Sequence, residues 1–254
     1  MAKGIGIEDL KIYDENLEFL TGNAKPHGDA AWIVENGKKM YEELSAETGE
    51  FFQFMIDHEL MDLEAKKGKE SGGYCTFIEN YEAPYIFSNF NGTSGDIDVL
   101  THEAGHAFQV YSSKNIGIPE YLWPTTESCE IHSMSMEFFT WPWMELFFKE
   151  ETEKYKFSHL SGGLLFLPYG VAVDEFQHVI YENPEMTPAE RKAESEKVLA
   201  ELDEMIEAEV ESYSLPLPIS MVDLLSLVRP NVQQIHDYAE FRISLDELDS
   251  SCRQ

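Results

Sequence analysis

The sequence predicts a mainly α-helical fold that contains one small antiparallel β-hairpin. Several segments place apolar residues three and four positions apart, which is the period of an amphipathic helix. One short stretch, residues 72–90, lacks this period and is rich in glycine, aromatic and β-branched residues, which favour strands. Apolar residues make up 43% of the 254 residues, so the chain can bury a substantial core and is not disordered as a whole.

Two scaffold helices are predicted before the glycine-rich stretch. The first covers residues 30–44, where apolar side chains recur on one face. The second is expected over residues 50–66 on the same grounds. Its apolar positions are Phe52, Ile56, Leu60 and Leu63.

A hairpin and a third helix come next. Residues 74–78 and 85–88 are the two strand candidates of the hairpin. Residues 91–94, Asn-Gly-Thr-Ser, are typical of a turn that leads into a helix, and two aspartates in the following turn favour a helix N-terminus. We expect this third helix from about residue 95 to residue 114.

A fourth helix is predicted after Pro124, and Pro142 should kink or end it. Thr125 or Thr126 is its expected N-cap. The last part of this helix is rich in methionine and aromatic residues, which we interpret as core in preference to a substrate pocket. These residues are Met134, Met136, Phe138, Phe139, Trp141 and Trp143.

One apolar run and one more helix are predicted further along the chain. Residues 160–173 are apolar but shorter than the roughly 20 residues of a membrane-spanning helix, so we interpret them as core. A fifth helix should cover residues 188–212, because Thr187 and Glu190 have the spacing of a capping box around Pro188.

The proline-rich segment at residues 215–218 is the one domain boundary that we predict. Residues 1–213 would form the main domain, and residues 214–254 would form a C-terminal tail of unclear role. The tail has one apolar run, residues 221–228, and no chemistry that can be identified.

Composition limits the partners and the location of the protein. Lys and Arg total 18 against 48 Asp and Glu, so the formal net charge is −30. This field repels phosphate backbones and anionic membrane surfaces, and we expect neither nucleic acid nor a membrane as partner. Three sparse cysteines suit free thiols in a reducing compartment, and the first ten residues lack the apolar run of a secretory signal. The expected location is the cytoplasm.

Residues 102–106 have the pattern His-Glu-Ala-Gly-His inside the predicted third helix. His102 and His106 lie one turn apart on the same face, where both imidazoles can reach one metal ion. Glu103 is rotated by about 100° from His102, which places its carboxylate beside the metal, where it can take a proton from a water molecule. The pattern therefore indicates a zinc site of the metallopeptidase type.

A hydrolytic zinc site needs three protein ligands and one open position. Glu130 and Glu137 lie seven residues apart on one face of the fourth helix, with the small Ser133 between them. Glu130 would complete the ligand set, and Glu137 could hydrogen-bond a ligand histidine. Glu127 is the rival third ligand, but only Glu130 fits the spacing to the other two residues. His132 is a candidate spare ligand, but it points about 200° away from Glu130 on the helical wheel, so we favour an ordinary role for it.

These motifs resemble those of the oligoendopeptidase F and thimet oligopeptidase family of zinc peptidases. The resemblance covers about half of the chain. It is carried by residues 83–93, 102–106, 130–137 and 173–184. It implies a zincin-like, mainly α-helical catalytic domain, with the small antiparallel hairpin at the substrate cleft.

The resemblance also implies the roles of individual residues at the metal. His102, His106 and Glu130 would hold one zinc ion per chain, and Glu103 would be the catalytic base. The function expected is that of a zinc-dependent endopeptidase that hydrolyses short oligopeptides.

Substrate binding is implied by the same resemblance. In this family an edge strand just before the zinc helix pairs with the extended peptide. The matching positions are Tyr85, Ile86 and Phe87.

The chain departs from the family in two ways. Family members are considerably longer, and residues 236–238, His-Asp-Tyr, do not follow the family pattern of a C-terminal histidine and tyrosines that stabilise the oxyanion. We therefore assign no oxyanion donors. The alternative hypothesis is a truncated form that acts as a non-catalytic zinc-binding remnant or as a partner-binding fragment.

Overall fold

The computed structural model describes residues 17–19 and 21–212, except the side chains of Leu165 and of residues 203–212. These residues form two compact units. The first unit spans residues 21–157, and the second unit comprises the other described residues. Both units are mainly helical, as the sequence predicts.

Two helices open the first unit. Helix α1 covers Ala30–Leu44, as predicted, and Asp29 caps it through a 3.0 Å hydrogen bond from a backbone N–H of its first turn. Helix α2 covers Ala46–Asp57, and the hydroxyl of Ser45 caps it in the same way at 3.1 Å.

The prediction of one helix over residues 50–66 is wrong beyond Asp57. Glu59 takes a left-handed backbone conformation with φ of 53°, and strand β1 follows at Met61–Glu64. The apolar residues of this strand alternate with acidic ones, which is the period of a strand. Leu63 therefore reaches the core from a strand, although its spacing also fits a helix.

One small sheet lies in the first unit. Strand β2, Tyr74–Ile78, pairs antiparallel with strand β3, Ala83–Phe90, which confirms the predicted hairpin. Strand β1 pairs parallel with the other side of β3, so β3 is the central strand and β2 is an edge of the described sheet. The prediction that Tyr85, Ile86 and Phe87 lie on an edge strand is therefore wrong, because the strand that covers their other side was not predicted.

Helix α3 covers Gly95–Ser113, within one residue of the prediction. The predicted fourth helix is shorter than expected, since α4 covers only Ile131–Phe139 and residues 126–128 form a separate 3₁₀ turn. Thr125 flanks this turn without a capping hydrogen bond from its side chain. Pro142 lies in a further 3₁₀ turn after α4, as expected of a residue that ends a helix.

The core of the first unit is formed mainly by side chains of α1, α2, α3 and the short helix α5, Glu145–Phe148. Its largest fully buried side chains are Tyr41, Tyr155, Phe51, Phe52, Phe147 and Phe148. Of the residues of α4 that we predicted as core, Met136 is buried. Met134, Phe138 and Phe139 are exposed, so the prediction is wrong for these three because α4 buries only one face.

The second unit is built on two long helices. Helix α6 covers Thr152–Glu182 and starts in the first unit, and helix α7 covers Pro188–Ser212, as predicted. The capping box is confirmed, because the Thr187 backbone N–H donates to the Glu190 carboxylate at 2.8 Å and the Glu190 N–H donates to the Thr187 hydroxyl at 3.4 Å. The residues buried in the apolar cluster of this unit are Ala172, Val198 and Leu199.

The apolar run at residues 160–173 is helical, and the interpretation of this run as core is wrong for much of it. Leu167 and Val171 have 61% and 66% of their surface exposed, whereas Ala172 is buried. Apolar side chains surround the helix here, and packing against one helix buries only one face. No helix within the described part of the chain is long and apolar enough to cross a membrane.

Some predictions fall outside the described residues. They concern the boundary between residues 1–213 and 214–254, the apolar run 221–228, the segment 236–238 and Cys252. The division into these two domains stays a prediction. Cys75 and Cys129 are free thiols, as predicted.

Candidate metal centre

Helix α3 starts from a turn that is held by its own first residues. The Asp96 carboxylate is buried and accepts hydrogen bonds from the backbone N–H groups of Asn91 and Gly92 at 2.9 and 2.8 Å. Gly92 has a backbone φ of 83°, a conformation that residues other than glycine rarely adopt. The turn thus fixes where the helix leaves strand β3, and with it the direction of the two histidines.

Two small residues let helices α3 and α4 approach each other closely. A Cβ atom added at Gly105 would lie 2.7 Å from the Cα atom of Ser133 and 3.0 Å from the carbonyl oxygen of His132. Ser133 is itself fully buried at this contact. The packing of the two helices therefore requires the glycine of the His-Glu-Ala-Gly-His pattern, since any side chain there would separate them.

The carboxylate of Glu130 meets both imidazoles. Its Oε2 atom lies 3.0 Å from Nε2 of His102 and 3.2 Å from Nε2 of His106. The candidate ligand atoms of these three residues lie within 4.8 Å of one another. Two imidazole nitrogens and one carboxylate oxygen are a donor set that zinc takes in hydrolytic sites. The three residues therefore fit a metal ion, whereas Glu127 lies in the 3₁₀ turn and is not part of this group.

Glu130 is half-exposed and held by Ser133. The Ser133 hydroxyl donates to Oε2 of Glu130 at 2.7 Å and also contacts the Glu130 backbone oxygen at 3.1 Å. Burial raises the pKa of Glu130, but the hydrogen bond from Ser133 and the two histidines lower it more, so the net pKa lies below the usual value. The acid therefore favours its charged form, which is the form that binds a metal.

The other ring nitrogen of His102 faces a carboxylate. Its Nδ1 atom lies 2.6 Å from Oε1 of Glu137, so the ring can donate a hydrogen bond to this acid. Burial lowers the pKa of His102, but the hydrogen bond and charge of Glu137, with the charges of Glu103 and Glu130, raise it more, and the net pKa is raised.

The other ring nitrogen of His106 faces a second imidazole. Its Nδ1 atom lies 2.9 Å from Nε2 of His132. His132 lies outside the group of three candidate ligands, and its role stays a prediction. Its contact with His106 was not predicted, because a helical wheel compares residues of one helix and says nothing about a neighbour on another helix. The motif of Glu130 and Glu137 contained no signal for this contact.

Glu103 lies beside the metal group and is buried, with 8% of its surface exposed. Burial raises the pKa of Glu103, and the charge of Glu130 adds to this effect. His102 and a backbone hydrogen bond from Cys75 lower the pKa, but the net shift is upward. A carboxyl group with a raised pKa is suited to accept a proton and then release it near neutral pH.

The residues predicted to bind substrate lie in the central strand β3 and not at an edge of the described sheet. Ile86 is fully buried in the core, while Tyr85 and Phe87 are half-buried. The neighbouring edge strand β2 is more accessible, and its Tyr74 is 50% exposed and stacks on Phe87 with ring centroids 4.9 Å apart. Within the described sheet, β2 has no strand on one of its sides, whereas β3 is paired on both sides.

Comparisons with known proteins show the family of the chain. The family model of Peptidase family M3 matches residues 42–215. A solved structure of PZ peptidase A with an inhibitor shares 64% sequence identity over 94% of this chain, with a TM-score of 0.72. A candidate oligoendopeptidase F from Bacillus anthracis strain Ames shares 52% identity over 96% of this chain, with a TM-score of 0.73.

The matches also show how much of its relatives the chain represents. It covers 40% of the PZ peptidase A chain and 52% of the Bacillus anthracis chain. A search of curated proteins found no significant match. The resemblance to oligoendopeptidases that the motifs predict is confirmed, and the chain belongs to Peptidase family M3.

Proposed function

We propose that the chain is a zinc-dependent endopeptidase that hydrolyses short oligopeptides. His102, His106 and Glu130 hold one zinc ion, and Glu103 is the general base. The observation that carries this proposal is the approach of two imidazole nitrogens to one carboxylate oxygen, at 3.0 and 3.2 Å. Membership of a peptidase family supports the reaction class.

Each residue of the site has its own role in hydrolysis. When bound, zinc lowers the pKa of a water ligand to about 7 and polarises a carbonyl oxygen. Glu103 accepts the proton of the attacking water and delivers it to the leaving amine. The burial that raises the pKa of Glu103 makes its carboxylate a stronger base. Glu137 accepts a hydrogen bond from His102 and holds its ring in place.

The substrate in this proposal is an extended peptide. Strand β2 has an unpaired edge in the described sheet, and a peptide can add to it through backbone hydrogen bonds. A backbone hydrogen bond links Cys75 of β2 to Glu103, so a peptide on this edge lies next to the base. Tyr85 and Phe87 take part through their half-buried side chains, while Ile86 supports the strand from the core.

A metal analysis combined with a quenched fluorescent peptide tests this function. The unaltered chain should contain one zinc ion and cleave the peptide. Glu103→Gln should keep the metal and lower the cleavage rate by about 10²- to 10⁴-fold, the usual contribution of a general base. Glu127→Gln is the matched control, because it neutralises a nearby acid outside the metal group and should leave both properties unchanged.

Two results would contradict the proposal or part of it. Full activity of Glu103→Gln would remove the assigned base. A purified chain that binds zinc without cleaving any peptide would be a non-catalytic remnant instead. The cytoplasmic location is also a proposal, and cell fractionation tests it.

A further inference from the structure

His132 contacts a candidate metal ligand but contributes no atom to the metal group. Its Nε2 atom lies 2.9 Å from Nδ1 of His106, and the two ring centroids are 4.9 Å apart at an interplanar angle of 76°. This edge-to-face arrangement is compatible with a hydrogen bond between two imidazoles, in which the N–H of one ring points at the lone pair of the other.

The direction of this hydrogen bond follows from the direction of His106. Its Nε2 atom faces Glu130 and His102, so this nitrogen must be unprotonated to bind a metal. The ring proton then lies on Nδ1, which donates to His132. His132 must in turn offer an unprotonated Nε2 atom, so its own proton lies on Nδ1.

The backbone of His132 lies in the close contact between α3 and α4. Its carbonyl oxygen is one of the atoms that a Cβ at Gly105 would approach to 3.0 Å, and the next residue, Ser133, is fully buried. The main chain at His132 therefore lies against α3, on the buried side of α4. A hydrogen-bond acceptor at such a close helix contact can orient its partner.

We propose that His132 is a positioning residue for the metal site: it accepts a hydrogen bond from His106 Nδ1–H and so holds this imidazole in the tautomer and orientation that present Nε2 to the metal. The inference rests on the proposed zinc site and assigns a role that the motif residues do not include. The two ligand histidines then differ in their support, since His102 donates to the carboxylate of Glu137 and His106 donates to a neutral ring.

The test compares zinc affinity in the unaltered chain and three variants by competition with a chromophoric chelator. His132→Ala removes the acceptor and should weaken zinc binding by about 10- to 100-fold, the usual effect of losing such a partner. His132→Gln keeps an acceptor oxygen at a similar reach and should recover most of the affinity. His178→Ala, which removes an exposed histidine of α6, is the control and should bind zinc as the unaltered chain does.

The outcomes distinguish a failure of the proposed zinc site from a failure of the proposed role of His132. If the unaltered chain binds no zinc, the proposed function fails and this inference fails with it. If the unaltered chain binds zinc and His132→Ala binds it equally well, only this inference is overturned. Equal losses in the Ala and Gln variants would also overturn it, because packing alone would then explain the effect. Thermal unfolding of the metal-free variants checks that each one is folded.

Discussion

The two helix pairs of this chain pack in different ways. Helices α3 and α4 meet at Gly105 and Ser133 with almost no side chain between their backbones. In the second unit, α6 and α7 contribute Ala172 and Val198 to a small apolar cluster, and apolar residues such as Leu167 stay exposed. At the contact of α3 and α4, the close approach of the two backbones brings acids and imidazoles of both helices within hydrogen-bonding distance.

The same substitution should have opposite effects in the two pairs. Gly105→Ala forces a Cβ to within 2.7 Å of Ser133, and we expect it to lower the free energy of unfolding by about 1–3 kcal/mol and to weaken zinc binding. Among the described residues, a Cβ added at Gly163 in α6 meets no atom within 4 Å apart from its chain neighbours and the nearby backbone of its own helix. Gly163→Ala should raise the free energy of unfolding by up to about 1 kcal/mol, because alanine is the better helix former.

Urea unfolding of the metal-free chains measures both changes. A stable Gly105→Ala variant with normal zinc affinity would show that the close approach of α3 and α4 is not required. A marked loss of stability in Gly163→Ala would show that the surface of α6 at this position is covered.

A smaller effect on stability is expected when a buried hydroxyl that contacts helix α3 is removed. Tyr155 is buried, and its hydroxyl donates to the Asp98 carboxylate of α3 at 2.7 Å. Tyr155→Phe removes this bond and should lower the free energy of unfolding by about 1 kcal/mol. Tyr181→Phe, at a residue of α6 that is 79% exposed, should change it by less than about 0.5 kcal/mol.

The effect of Tyr155→Phe should also depend on pH. Burial, and then the charge of Asp98, raise the pKa of Tyr155 in the folded chain. A group whose folded pKa is raised stabilises the fold below its unfolded pKa of about 10 and loses this contribution as the pH rises above it. The stability difference between the unaltered chain and the Tyr155→Phe variant in urea unfolding should therefore shrink above about pH 10. A difference that grows there would contradict this account.

Local patterns predicted much of the fold. The apolar period and capping signals fix helices such as Ala30–Leu44 and Pro188–Ser212, because both depend on nearby residues. Strand β1 could not be predicted in this way, since it forms by pairing with residues more than twenty positions away. Helix α6 was missed because Gly162, Gly163 and Pro168 disfavour helices, and such weak local preferences are overridden by the surrounding fold.

The candidate site likewise contains residues that local patterns predict and residues that they do not. The motif spacing led to His102, His106 and Glu130 because each contact follows from one helical face or one fixed interval. The contact of His132 escaped prediction because it joins α4 to the second ring nitrogen of His106, and a helical wheel describes one helix only. Phe87 was placed on an edge strand for a related reason, since the strand on its other side was not recognised.

The central claim is that His102, His106 and Glu130 hold one zinc ion, and zinc content of purified variants tests it most directly. The unaltered chain and Glu127→Ala should each contain one zinc ion per chain, because Glu127 is not part of the metal group. Glu130→Ala should lose its zinc during dialysis against a weak chelator while remaining folded. A Glu130→Ala chain that keeps a full zinc ion would contradict the account.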